Sequence, residues 1–227
     1  MLTQFSSKNF NQYCDRLAGV DPDLKKILEE YGYPPLWTRS NSFETLVHFI
    51  LEQQVSLASA LAALNKLKER FVEITPQNLL TLSDEEMKAC YVSRQKIVYT
   101  RALANAVLEK KIDLVSFEQL PDEHVKQELV KLKGVGNWTA DVYLMFVLRR
   151  TDIFPVGDLA AVNAFKQIKR LPSDTTRNDL LNLAEPWKPY RTIATMMLWH
   201  FYLSSRQKKI PEKEKLKKAT SPLYITG

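Results

Sequence analysis

Leu132-Lys133-Gly134-Val135-Gly136-Asn137-Trp138-Thr139-Ala140 lies between two stretches of helical spacing, and its reading decides the fold. Upstream, Val125, Leu129 and Leu132 recur at three- and four-residue steps. Downstream, residues 138–148 are apolar nearly all round, the mark of a helix buried at the centre of a domain. Two helices joined by Gly-Val-Gly make a tight hairpin. Gly134 and Gly136 allow positive φ and close approach of another backbone. The amides of Val135 to Trp138 are expected to point outward at the start of the second helix. Successive N–H groups and a positive helix end together seat a phosphate, with Lys133, Asn137 and Thr139 as its neighbours. The carbonyls of Leu132 and Gly134 could also coordinate a monovalent cation. The plainer alternative is a glycine cap followed by a turn, and these residues alone leave both readings open.

An aspartate follows 22 positions after the second glycine, in Phe154-Pro155-Val156-Gly157-Asp158. Asp158 stands after a glycine and before Leu-Ala-Ala-Val, which suits the N-cap of a helix. A carboxylate fixed at a helix start is rigid, and the helix dipole favours its ionised form. That also suits a charge facing an oxocarbenium-like sugar as an N-glycosidic bond breaks. Asp152 and Asp141 are weaker candidates, the first ahead of a short extended segment and the second on the apolar helix.

Farther out, helical stripes continue: Phe43, Leu46, Val47, Ile50; then Leu57, Leu61, Leu64, Leu67, Phe71; then Ile97, Leu103, Val107, Leu108. Two more helices are expected, from Leu159 to about Ile168 and from Trp187 to about Leu203. Most prolines fall between these stretches, where they break nothing. The prediction is an all-α fold of about nine or ten helices, two helical subdomains flanking a cleft, with little or no sheet. Residues 1–36, closed by Pro34-Pro35, are read as a helical or irregular segment contributing to the second subdomain. Residues 37–205 form the core, with a catalytic loop at 152–158, and 206–227 form a basic tail.

Composition bounds the chemistry. The 227 residues carry 32 Lys+Arg against 26 Asp+Glu, a net charge of +6, which permits a polyanionic partner without requiring one. Two cysteines, Cys14 and Cys90, exclude a disulfide framework and a four-cysteine zinc or iron–sulfur site. No apolar signal core and no run long enough to span a membrane is evident, so an intracellular location (cytoplasm, nucleoid or nucleus) and no membrane partner are expected.

The hairpin, the Trp138-Thr139-Ala140 after it and the later aspartate resemble the helix–hairpin–helix DNA glycosylases, and within them the 3-methyladenine DNA glycosylase II, or alkylbase, branch. Two further segments carry the resemblance: Ile50-Leu51-Glu52-Gln53-Gln54-Val55-Ser56, and Trp187-Lys188-Pro189-Tyr190-Arg191-Thr192-Ile193-Ala194 followed by Leu198-Trp199. The four motifs span about residues 37–203. The resemblance implies a catalytic Asp158, a wedge at Gln54 with Gln53 and Ser56 as polar neighbours, and damaged double-stranded DNA as the partner of a monomer. Trp138, Trp199, Trp37 and Tyr143 become candidates for a base pocket, since electron-rich rings attract a cationic alkylated purine. Val142 stands where some relatives carry a pocket tyrosine. Members that also cut the strand carry a lysine at position 138, whose amine attacks the sugar; Trp138 implies a water-using enzyme without that step. The compact form is implied, with no iron–sulfur cluster, no required cofactor and at most a Na+ or K+ at the hairpin. The same fold acting on uracil or hypoxanthine, and a non-catalytic DNA-binding protein, are the alternatives.

Overall fold

A computed structural model describes residues 3–208 of the chain, with side chains described as far as residue 206. The fold is all-α. Among the described residues the helices are α1 (Phe10–Val20), α2 (Pro22–Tyr31), α3 (Phe43–Glu52), α4 (Leu57–Lys68), α5 (Pro76–Thr81), α6 (Asp84–Ala89), α7 (Arg94–Leu108), α8 (Asp122–Val130), α9 (Asn137–Phe146), α10 (Leu159–Lys169), α11 (Arg177–Leu183) and α12 (Arg191–Lys208). Two 3-10 turns, Ser116–Glu118 and Glu185–Trp187, complete the set.

Twelve α-helices exceed the nine or ten expected, because α5 and α6 have six residues each, too few to display an apolar period. The stretch expected to run as one helix from Trp187 instead splits into the Glu185–Trp187 turn and α12, with Pro189 between them. Residues 152–156 form a loop rather than a strand. Leu108, read as part of a buried stripe, is 41% exposed at the last position of α7. The basic tail beyond residue 208 lies outside the described residues.

Hydroxyl and carboxylate caps set most helix starts. Ser42, Ser56, Thr75, Ser83, Ser93, Asp158 and Thr176 each accept a hydrogen bond from the amide three residues on. Each satisfies one of the donors that a helix leaves unpaired in its first turn.

The chain divides into two compact units. Among the described residues, one comprises 3–38 and 144–208, the other Arg39–Tyr143. In the first, α1, α2, α10, α11 and α12 enclose Phe10, Leu17, Leu24, Phe165, Trp187 and Met197. Its N-terminus is pinned by one antiparallel bridge, Gln4 to Arg150, the single β pairing found among the described residues. Asp21 joins three elements of this unit: it caps α2 through the amides of Asp23 and Leu24, binds Lys169 Nζ at 2.7 Å and accepts Trp187 Nε1 at 2.7 Å. Burial alone would push its carboxyl up, but the bonds from Lys169 and Trp187 outweigh that and hold it below the usual carboxylate range.

In the second unit, α3 packs on α4 and α7, and α5 packs on α7. Leu46, Phe49, Ile50, Leu67, Leu79, Ile97, Leu103 and Leu129 are buried there. Arg39 binds Glu52 with both guanidinium arms, at 2.6 and 3.1 Å, and lies over the Phe49 ring. Among the described residues no helix is long and apolar enough to cross a membrane.

Candidate active site

Asp158 precedes α10 in extended conformation, at φ −82° and ψ 112°. Its Oδ1 accepts the Ala161 amide at 2.8 Å, so the helix-cap reading of the sequence holds. The same oxygen accepts Trp199 Nε1 of α12 at 3.0 Å. Two neutral donors from two helices therefore fix the carboxylate's rotation. Trp199 stacks on Phe146 at 5.4 Å between centroids and meets Trp37 edge-on at 6.3 Å. The structure thus brings Asp158, Trp199 and Trp37 into one cluster of the first unit. With Trp199 at 9% and Trp37 at 7%, each tryptophan presents little more than an edge to solvent.

The loop before Asp158 is held as firmly. Asp158 N–H donates to the Pro155 carbonyl at 2.8 Å, and Ile153 N–H to Thr192 Oγ1 at 3.0 Å. Arg191 grips Asp152 through Nε and Nη2 at 2.7 and 3.0 Å. Asp152 is therefore an anchor of the loop, and Arg191 is the residue that holds it. Asp141 is likewise committed, to Lys126 at 2.7 Å; burial pushes its carboxyl up despite that partner.

The hairpin belongs to the second unit. Val135 N–H closes the turn on the Leu132 carbonyl at 3.0 Å, and the Gly136 carbonyl accepts Ala140 N–H to open α9. Gly134 has φ +87°, and a Cβ there would land inside the Tyr99 ring. Gly136 has neither a positive φ nor any atom within 4 Å of a built Cβ. Two expectations are corrected here. Only Gly134 uses the left-handed region, and the Val135 amide is spent inside the turn instead of pointing outward. What remains of the expected phosphate seat is the first turn of α9, whose amides have no acceptor within their own helix.

Gln53, expected as a neighbour of the wedge, reaches the hairpin. Its Nε2 donates to the Gly134 carbonyl at 2.8 Å and to Thr139 Oγ1 at 3.1 Å. Gln54 follows exposed at φ +57°, at the tip of the α3–α4 loop, and Ser56 caps α4. Lys133 and Asn137 are exposed, whereas Thr139 is buried. Trp138 is half-buried at the second position of α9. Tyr143 is fully buried, edge-on to Phe117, with its hydroxyl on Asn41 Oδ1 at 2.6 Å. Burial of this degree leaves its ring no open face for a base, and it packs the core.

Three residues that the sequence reading passed over join this site. Gln95, Lys96 and Tyr99 line a cavity of about 350 Å³ together with Gln53, Gln54 and residues 134–136 of the hairpin. Lys96 Nζ donates to the Leu51 carbonyl at 2.6 Å, and burial lowers its pKa. The signal was present in Ser93-Arg94-Gln95-Lys96: basic side chains opening a helix oppose its dipole and so ask for another reason.

Residues 47–189 match the model of the HhH-GPD superfamily base excision DNA repair proteins, a segment that includes both the hairpin and Asp158. The chain belongs to that superfamily. Among HhH-GPD relatives, DNA-3-methyladenine glycosylase 1 of Schizosaccharomyces pombe is 30% identical over 192 residues, covering 81% of this chain and 83% of its own. A solved structure of the S. pombe 3-methyladenine DNA glycosylase in complex with abasic DNA superposes with a TM-score of 0.76 at 29% identity, covering 83% of this chain and 95% of that one. The DNA-3-methyladenine glycosidase of Bacillus halodurans gives a TM-score of 0.73 at 28% identity, over 95% and 99%.

Proposed function

We propose that this HhH-GPD protein is a monofunctional DNA glycosylase that hydrolyses the N-glycosidic bond of alkylated purines of the 3-methyladenine and 7-methylguanine type. The observation that carries the reading is the fixed carboxylate of Asp158, locked by Trp199 and Ala161 beside an aromatic cluster. An immobile negative charge stabilises positive charge developing on the sugar as the base leaves, without reorganisation at the moment of reaction. It also orients the attacking water. An alkylated purine already carries positive charge, so its departure as a neutral base is favoured. Extrusion of the base costs a few kcal/mol, less for a damaged one, and Gln54 at the exposed loop tip is the group proposed to fill the gap.

The first-turn amides of α9 would hold a backbone phosphate without reading sequence. The carbonyls of Leu132 and Gly134 each accept one hydrogen bond, which leaves each a lone pair with which to hold a monovalent cation. No cofactor is needed for hydrolysis by water. Trp138 supplies no amine, so no Schiff base forms with the sugar.

Asp158→Asn keeps a side-chain acceptor for the cap but removes the charge. It should bind duplex DNA as the wild type does and release methylated purines at least about a hundredfold more slowly. Full activity in that variant would overturn the assignment, as would borohydride trapping of a covalent adduct between the wild-type enzyme and DNA. Release of uracil or hypoxanthine in preference to methylated purines would reassign the lesion.

A further inference from the structure

The cavity beside the hairpin has an unusual wall. Its polar groups are carboxamides (Gln53, Gln54, Gln95), the Tyr99 hydroxyl and the Lys96 ammonium, and no carboxylate is among the described residues that line it. Lys96 uses one of its three donors on the Leu51 carbonyl, in the last turn of α3. A carbonyl satisfies a donor but does not neutralise a charge, and burial disfavours the ammonium with nothing on the cavity wall to compensate. Arg94 adds a second cation to the same helix start, where the dipole is also positive. Lys96 and the start of α7 therefore meet the hairpin that opens α9, and all three favour an anion. Gly136 lies at the rim, with open space where a side chain would stand. A volume of about 350 Å³ is ample for a phosphodiester.

We infer that this cavity is a DNA-phosphate site in which Lys96 is the charged ligand, set beside the open face of Gly136. The inference rests on the DNA-binding reading of the hairpin and extends it, from a seat made by main chain to one with a side-chain cation built into it. Lys96 also holds the turn from which Gln53 and Gln54 project. The group that grips the phosphate thereby steadies the loop that carries the wedge.

The salt dependence of duplex binding separates a phosphate ligand from a structural cap. Each neutralised phosphate contributes about 0.9 to the slope of log K against log salt. Lys96→Gln should therefore bind undamaged duplex more weakly, with a slope shallower by about one, and Lys96→Arg should restore the slope. An unchanged slope in Lys96→Gln, whatever its affinity, would overturn the inference. Gln95→Glu keeps the Lys96–Leu51 bond and suits the first turn of α7, so it covers the case in which Lys96→Gln does not fold. It should lose more duplex affinity than Gln119→Glu, an exposed change away from the cavity; equal losses would count against the phosphate. A wild type whose binding shows no salt dependence would instead remove the DNA-binding reading itself.

Discussion

Trp199 helps to fix the carboxylate of Asp158, as Arg191 and Lys126 help to fix those of Asp152 and Asp141. Lys126 and Arg191 each bind a carboxylate by ion pairing and spend its charge locally. The indole N–H and the Ala161 amide hold Asp158 in place with neutral donors. Trp199→Phe keeps an aromatic ring against Phe146 and removes one such donor. Steady-state kinetics on alkylated DNA should show kcat reduced about tenfold, the equivalent of ~1.4 kcal/mol, with KM little changed. The cap was legible in Gly157-Asp158-Leu159. The bond to Trp199 was not, because it joins residues on two helices far apart in sequence. Cys14 shows the opposite use of burial. Loss of solvent, reinforced by Asp15, pushes its thiol up to about 12. With no thiolate at neutral pH it should resist alkylation by iodoacetamide until the protein is unfolded, which mass spectrometry of the labelled chain would register.

At the scale of elements, the two hairpin glycines have separate reasons to be there. Gly134 is required by the protein itself, through its positive φ and the Tyr99 ring packed against it. A Cβ at Gly136 would meet nothing within 4 Å among the described residues. Gly134→Ala should lower unfolding free energy by ~2–4 kcal/mol, strain and overpacking combined. Gly136→Ala should leave stability within about 0.5 kcal/mol of wild type, as an open site allows. Denaturant melts of the two variants would separate these outcomes. The Gly-Val-Gly spacing announced a turn, but the sequence could not say which glycine served which end, since Tyr99 arrives from another helix. The same limit applied to α5 and α6. Their caps, Thr75 and the Ser83–Glu86 capping box, were written in the sequence, while their six residues gave no periodic stripe.

For the molecule as a whole, Asp21 is where acid sensitivity should concentrate. Its folded pKa lies below that of an ordinary aspartate, so its contribution is in full force above the ordinary value and fades as pH falls through the folded pKa. Asp21→Ala would leave Trp187 Nε1 without its acceptor, remove the cap of α2 and leave Lys169 with Asp23 alone, and should cost about 2–4 kcal/mol at pH 7. The deficit should shrink toward pH 2 in urea melts, because the wild type loses the same interaction there. Fold class was readable from periodicity because helices announce themselves locally. The grouping of α1 and α2 with α10 and α12 was not, since those contacts join the two ends of the described chain. That grouping has a consequence for biosynthesis. The stretch from Arg39 to Tyr143 is continuous and can collapse as it leaves the ribosome, whereas α1 and α2 emerge first and lack α12 until residue 208 has been made. At ~5–20 residues per second that interval lasts roughly ten to thirty seconds. Throughout it, the apolar faces of the two earliest helices are open to a chaperone and to any neighbouring nascent chain.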